Sequence, residues 1–473
     1  MPADPSAVCI VGAARHTWRD QPAPEPLDMW EEVARAAAAD AGVRGALREL
    51  ESLQVVYCQA WEYDDACLRL AERLGADPAH RRYSGIGGSV PLTLVADAAD
   101  AMMRGELDLA LVIGGEALAT RKRVPDPEWS YPPEEARRFP ITIDRAEAAN
   151  GIFQAYLTFA LLDTARRVHL GRDLDEHRKE LGQLFAPLSE IAAAQPEHAW
   201  FPVAHHASEI AEVTPANRMV ATPYTKLMTA FMDVDMAAGV LLATDARADA
   251  LGVPADRRVY LRGFGAANEP FGMAERPELW HAPAMEGAMG RALGGRTVDD
   301  VAHLDLYSCF ASSLGFASDA LGIQEQRSLT VTGGLPYHGG PGSNYTTHAM
   351  AAMTEVLRAD PGAFGMVSGV SMHMAGHAAS LWSTTPGPAP ARETAATHDA
   401  LPVTAHPEGP ARVATFSTTY GREGPEWTAL ICDLPDGSRC YARLEEAVPD
   451  GIDLAGEEVT LVAGEKGANT ARL

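Results

Sequence analysis

Two adjoining segments restrict the fold more than any other part of the chain: DLYSCFASSLGFASDALGI, Asp305 to Ile323, and LTVTGGLPYHGGPGSNYTTH, Leu329 to His348. Their patterning predicts strand, turn, helix, strand, glycine loop and helix. The unusual polar residues fall in the two loops. Tyr307, Ser308 and Cys309 lie in the first, and His338, Asn344, Tyr345 and His348 lie in or just after the second. An α/β protein delivers side chains and backbone N–H groups to one pocket in this way, at the carboxyl ends of its strands.

The alternation extends along the chain. Ala7–Ala13, Leu53–Cys58, Asp108–Gly114, Ala237–Thr244, Arg258–Phe264, His303–Ser308, Leu329–Thr332 and Gly365–Gly369 read as buried strands. Leu27–Ala41, Asp64–Gly75, Val90–Arg104, Met285–Leu293, Ser312–Leu321 and Tyr345–Arg358 show helical spacing. Strand–helix alternation argues for parallel pairing with helices on both faces. A glycine turn precedes both Val90–Arg104 with its following strand and Tyr345–Arg358 with its own, so one architecture looks to be used twice.

The pattern breaks between Thr120 and about Met232, a polar, aromatic-rich stretch with helical pieces at Asn150–Val168 and Leu174–Ala194, read as an insertion over the sheet. The Pro/Ala/Thr-rich stretch Thr384–His406 reads as a linker. Beyond it, Ala411–Thr418, Trp427–Cys432, Ser438–Leu444 and Glu458–Val462 read as strands, with Pro435–Ser438 as a hairpin turn. The expected domains are 1–119 with 233–264, the insertion 120–232, a second half 265–384, a linker 385–407 and an all-β domain 408–473.

The 473 residues suffice for two to four domains at about 150 residues each. A formal net charge of -25 argues against nucleic acid or anionic membrane partners. It leaves room for an anionic ligand held locally by N–H dipoles. Six scattered cysteines without CxxC spacing imply reduced thiols in a cytoplasmic protein, and no metal site is expected. Asp233 and Asp235 read as the end of the insertion rather than as metal ligands. The N-terminus lacks the pattern of a signal peptide, and no window offers the ~20 apolar residues of a membrane span.

The strand VCIVGAAR, the turn and helix GGSVPLTLVADAADAMMRGELDLALVIGGE, and the segments ATPYTKLMTAFMDVDMAAGVLLAT, LDLYSCF and LTVTGGLPYHGGPGSNY resemble, in order and spacing, the thiolase superfamily. The likeness covers about residues 7–384. Over nearly the whole chain it extends to thiolase-like acetyl-CoA acetyltransferase homologues with an additional C-terminal β domain. The resemblance implies a duplicated five-layer αβαβα fold, an inserted helical loop domain, an oligonucleotide/oligosaccharide-type barrel, a homodimer, and a coenzyme A thioester as substrate, with no permanently bound cofactor. Thiolases act at a carbon–carbon bond beside the thioester. They use a cysteine nucleophile, a second cysteine as acid/base, and a histidine with an asparagine or histidine at the thioester oxygen.

This chain departs at those positions. The nucleophile position falls on Gly88, the glycine-motif histidine on Gly340, and the final cysteine near Gly369, while Tyr307 stands in the Asn/His position. Glycine cannot attack a thioester. The candidates that remain are Tyr307, Cys309, His338, Tyr345 and His348 as chemical groups, and Gly87, Gly88, Gly339 and Gly340 as a backbone-amide site for a CoA-linked carbonyl. Each has a plain alternative: Cys309 as packing, the histidines as loop residues, Ser308 as a helix cap, the glycines as tight contacts. Three functions stay open. They are acyl-CoA chemistry at a C–C bond without the usual cysteine, aldol or retro-aldol cleavage on a CoA-linked substrate, and non-catalytic acyl-CoA or lipid binding or scaffolding.

Overall fold

A computed structural model describes residues 4–135, 143–323, 327–387, 399–444 and 446–473. Its strands are, in chain order, β1 (Val8–Thr17), β2 (Ser52–Val55), β3 (His80–Tyr83), β4 (Leu109–Ala117), β5 (Met219–Ala221), β6 (Tyr224–Thr225), β7 (Asp235–Thr244) and β8 (Val259–Asn268). There follow β9 (His303–Asp305), β10 (Phe364–Ser371), β11 (Gly376–Ser383), β12 (Gly409–Tyr420), β13 (Pro425–Asp433), β14 (Arg439–Leu444), β15 (Glu458–Val462) and β16 (Thr470–Arg472).

The main sheet has the order β3-β2-β4-β7-β1-β8-β11-β10-β9. Among the described residues its two halves pair through β1 and β8, at Cys9↔Tyr260 and Ile10↔Val259. On each side of that seam the pattern repeats. β1–β7 and β8–β11 are antiparallel, as are β4–β7 and β10–β11, while β2–β4 and β9–β10 are parallel. The halves are therefore mixed, where strand–helix alternation suggested parallel pairing. The cause is visible at Ser371–Gly376. That connection is too short for a crossover and allows only an antiparallel return.

The Val90–Met103 and Tyr345–Ala359 helices pack on each other and on strands of both halves. The Pro26–Asp40 helix covers β1, β4 and β7, and the Pro283–Leu293 helix covers β8 and β11. β4 and β7, buried along their whole lengths and apolar but for Glu116 and the end residues Asp235 and Thr244, are what such two-sided covering requires.

The expected strand Leu329–Thr332 is not one. Leu329 gives a single ladder bond, its carbonyl accepting from the Leu306 N–H, and the Val331 and Thr332 N–H groups donate instead to the Asp305 carboxylate.

In the C-terminal region β12, β13, β14, β16 and β15 close on themselves, since β12 pairs with both β13 and β15. β14 and β16 run parallel and the other pairs of the barrel antiparallel. Val413, Phe416, Leu430, Cys432, Cys440, Val459 and Leu461 fill the interior. The β5–β6 hairpin from the 120–232 region joins this barrel through Ala221↔Thr419. Two ion pairs, Arg167–Asp453 and Arg178–Asp450, tie the same regions together. Residues 388–398 of the expected linker lie outside the described residues.

Candidate functional site

β9 ends at Asp305, and the chain turns through Tyr307–Phe310 into the Ala311–Leu321 helix. Asp305 is fully buried. Its Oδ2 accepts from Thr330 Oγ1 (2.8 Å), Val331 N–H (3.0 Å), Thr332 N–H (3.1 Å) and Thr332 Oγ1 (2.9 Å), and its Oδ1 accepts from the Tyr345 phenol (3.0 Å). Burial pushes this carboxyl up from its ordinary pKa, and the donors oppose that rise.

Tyr307 anchors its N–H on Ser368 Oγ at 3.0 Å and meets Tyr345 edge-on, ring centroids 5.6 Å apart. Its phenol runs to Gly88. A Cβ built on Gly88 would lie 2.2 Å from the phenol oxygen and 2.3 Å from Cζ. Burial holds both the Tyr307 and Tyr345 phenols well above the ordinary tyrosine range. They are therefore donors rather than bases.

His338 and His348 are fully enclosed and touch through Nε2 and Nδ1 at 3.4 Å. The His338 ring lies 6.0 Å from that of Tyr345. Desolvation lowers both imidazoles far below the ordinary value, so both are neutral. Cys309 contacts Ser313 Oγ at 3.2 Å, and burial raises its thiol to about 12, which removes thiolate at neutral pH. Ser308 does not cap the helix; its hydroxyl accepts the Leu335 N–H at 3.1 Å.

The glycine loops are packed. Gly87 N–H donates to Ser343 Oγ and Ser89 N–H to Ser371 Oγ, both at 3.0 Å, while Gly340 N–H donates to the Phe231 carbonyl at 2.8 Å. Gly87, Gly88, Gly339 and Gly340 are all buried. A Cβ on Gly339 would meet Met236 Sδ at 2.8 Å, one on Gly340 the Phe231 carbonyl at 3.3 Å, and one on Gly369 the Ser89 Cα at 2.7 Å. The tyrosines, histidines and Cys309 are thus buried in one region with these loops. A cavity of about 310 Å³ opens elsewhere, between Asp144–Asn150, Gly272–Glu275, Val403–His406 and the barrel residues Tyr441 and Lys466–Asn469. Among the described residues no group of His, Cys, Asp or Glu could hold a metal ion, and no helix is long and apolar enough to cross a membrane.

Sequence reasoning missed Glu116 as part of this region. It is a lone charge at the end of an apolar strand, and that mismatch was its signal. Its carboxylate accepts from Gln59 N–H (2.8 Å) and Ala60 N–H (2.9 Å) and lies beneath the second glycine loop, 2.4 Å from where a Gly342 Cβ would be. Burial raises its pKa from 4.5 to about 7. The native state therefore holds this proton more tightly than the unfolded chain. That stabilisation is complete below pH 4.5 and lost as pH rises through about 7. From this group alone, urea unfolding should lose about 3 kcal/mol across that window, and Glu116→Gln should flatten the profile.

No family model and no curated protein matches the chain. Solved structures do. A monomeric SCP2-thiolase-like protein type 1 from Mycobacterium smegmatis superposes with TM-score 0.86 at 29% identity, covering 100% of both chains. Human mitochondrial 3-ketoacyl-CoA thiolase in complex with CoA gives TM-score 0.58 at 15% identity, covering 81% of this chain and 99% of its own. An Ltp2-ChsH2(DUF35) aldolase gives TM-score 0.60 at 16% identity, covering 80% and 98%. The main sheet and the helices that cover it form a thiolase-type α/β fold. The chain is a thiolase-like protein.

Proposed function

We propose that this protein handles acyl-CoA thioesters without thiolysis, as a binding or scaffold member of its superfamily with a closed reaction centre. One observation carries the reading. The Tyr307 phenol occupies the space that any side chain at residue 88 would need. The N–H groups of Gly87, Ser89 and Gly340 are meanwhile spent on Ser343, Ser371 and the Phe231 carbonyl. A centre in this state offers no nucleophile at residue 88 and has committed the Gly87 and Gly340 donors of its oxyanion site elsewhere.

A second reading rests on the edge-to-face contact of Tyr307 and Tyr345 at 5.6 Å and on the aldolase among the structural neighbours. In a retro-aldol step a base takes the β-hydroxyl proton, the Cα–Cβ bond breaks, and the electron pair enters the enolate of the thioester. Tyr307 and Tyr345 or His338 would move the protons, with Cys309 and His348 behind them and Gly87, Gly88, Gly339 and Gly340 near the carbonyl. The buried, protonated phenols disfavour this chemistry unless the centre opens. An acyltransferase without a covalent intermediate would need the same opening.

The five-layer reading is supported by the helix pair between the sheet halves, and the oligonucleotide/oligosaccharide-type reading by the closed five-strand order. We place the insertion at 120–232, the halves at 1–119 with 233–264 and 265–384, and the barrel at 408–473. A homodimer and a cytoplasmic location complete the proposal; the Mycobacterium smegmatis neighbour is described as monomeric, so sedimentation must decide the first.

The test is titration calorimetry with CoA, short- and long-chain acyl-CoA and β-hydroxyacyl-CoA, alongside turnover of the same panel. Binding without turnover is the expected result. Cleavage of β-hydroxyacyl-CoA that Tyr307→Phe abolishes would install the second reading. Thiolytic turnover, or no binding at all, ends the proposal.

A further inference from the structure

The turn between β10 and β11 carries three successive residues in the left-handed region that are not glycine: Met372 (φ +40°), His373 (φ +52°) and Met374 (φ +57°). Side chains resist this conformation, and it persists only where surrounding contacts over-determine it. The contacts here are specific. His373 Nδ1 lies 3.0 Å from Glu147 Oε2, Arg276 Nη2 donates to the His373 carbonyl at 2.8 Å, and Met374 is fully buried.

Glu147 is itself enclosed, 0% exposed, and its carboxylate gathers three parts of the chain. Its own short helix, Arg145–Ala149, lies in the 120–232 region. Its Oε1 accepts from Met273 N–H (2.8 Å) in the second sheet half and from the Tyr441 phenol (2.9 Å) on β14 of the barrel. The Tyr441 oxygen in turn accepts from Ala274 N–H at 2.8 Å. Tyr441 also forms part of the wall of the 310 Å³ cavity, so this node borders a space open to solvent.

The other end of the turn reaches the glycine loop. Ser371 Oγ accepts the Ser89 N–H at 3.0 Å and lies 2.6 Å from Ser89 Oγ. It also sits 2.2 Å from where a Gly87 Cβ would be. One strained turn thus has the barrel-linked carboxylate at one side and the closed centre at the other.

We propose that Met372–Met374 form a latch: Glu147, held by the docked barrel through Tyr441, keeps the turn left-handed, and the turn keeps Ser371 pressed on the Gly87–Ser89 loop. Closure of the thiolase-like centre is then conditional on the seating of the C-terminal barrel. The inference rests on the shut-centre reading and adds the device that shuts it. Glu147 acts only through the turn and is a positioning residue.

Hydrogen exchange on the full chain tests this, read in peptides spanning 84–90 and compared with peptides from β1 and β12. In the wild type the 84–90 segment exchanges slowly. Glu147→Gln should accelerate it about tenfold or more while β1 and β12 keep their rates. Tyr441→Phe, which removes only the barrel's hydroxyl, should act in the same direction by about threefold and keeps the protein folded should Glu147→Gln fail. The latch is overturned if the folded variants leave 84–90 at the wild-type rate, or if all segments speed up together. Fast wild-type exchange at 84–90 would overturn both the latch and the closed centre. Slow exchange in the wild type and in both variants would remove the latch alone.

Discussion

Restoring a cysteine at residue 88 is expected to destabilise the protein and to yield no thiolysis. Backbone conformation at 88 does not itself call for glycine, which has no positive φ there. The obstacle is Tyr307: its phenol oxygen, Cζ and Cε2 lie 2.2, 2.3 and 2.5 Å from the position a Cβ would take. The ring cannot step aside freely, because Tyr345 stands edge-on to it and its own N–H is anchored on Ser368. Overpacking of this kind costs about 1–3 kcal/mol, and more where nothing yields. Gly88→Cys should lower the urea midpoint accordingly. Tyr307→Ala leaves a cavity by itself, yet in the Gly88→Cys background it should recover part of the loss. A double-mutant cycle should therefore show coupling of about 1–3 kcal/mol. Additive losses, or a Gly88→Cys protein as stable as the wild type, would mean that the phenol does not fill that space.

Asp305→Ala is expected to be the most damaging single change in the centre. It leaves the Thr330 and Thr332 hydroxyls, the Val331 and Thr332 amides and the Tyr345 phenol without their shared acceptor. Buried donors stripped of an acceptor are costly, so a loss of about 3–5 kcal/mol in urea unfolding should follow. Exchange at Val331 and Thr332 should rise in step. Asp305→Asn keeps an acceptor and should cost about half as much. A loss under about 1 kcal/mol for the alanine variant would show that water replaces the carboxylate.

The strand Glu458–Val462 has the bounds that its sequence predicts, and the Tyr345 helix starts where its pattern places it. Both rest on local periodicity. Leu329–Thr332 fails because its amides are satisfied by Asp305, a side chain brought from another strand. β11, GHAASLWS, went unread because its residues favour no strand; pairing with β8 and β10 makes it one. The parallel arrangement expected from alternation gave way at a six-residue hairpin. In the centre, local pattern places Tyr307 on one loop and His338 on the next. That Tyr307 reaches across to Gly88 is a contact over more than two hundred residues, and nothing near either position encodes it. Glu116 and Asp305 were visible only as isolated charges in apolar runs.

The pairing of Ala221 with Thr419 has a consequence for how such a chain can change over generations. The β5–β6 hairpin and β12 share one hydrogen-bonded seam, so neither can be traded for a homologous version without a matching partner. Recombination that exchanged the tail alone would strand the β5–β6 hairpin with backbone groups facing an ill-fitting neighbour. The two regions are therefore expected to be exchangeable only together, although β6 ends at Thr225 and β12 begins at Gly409.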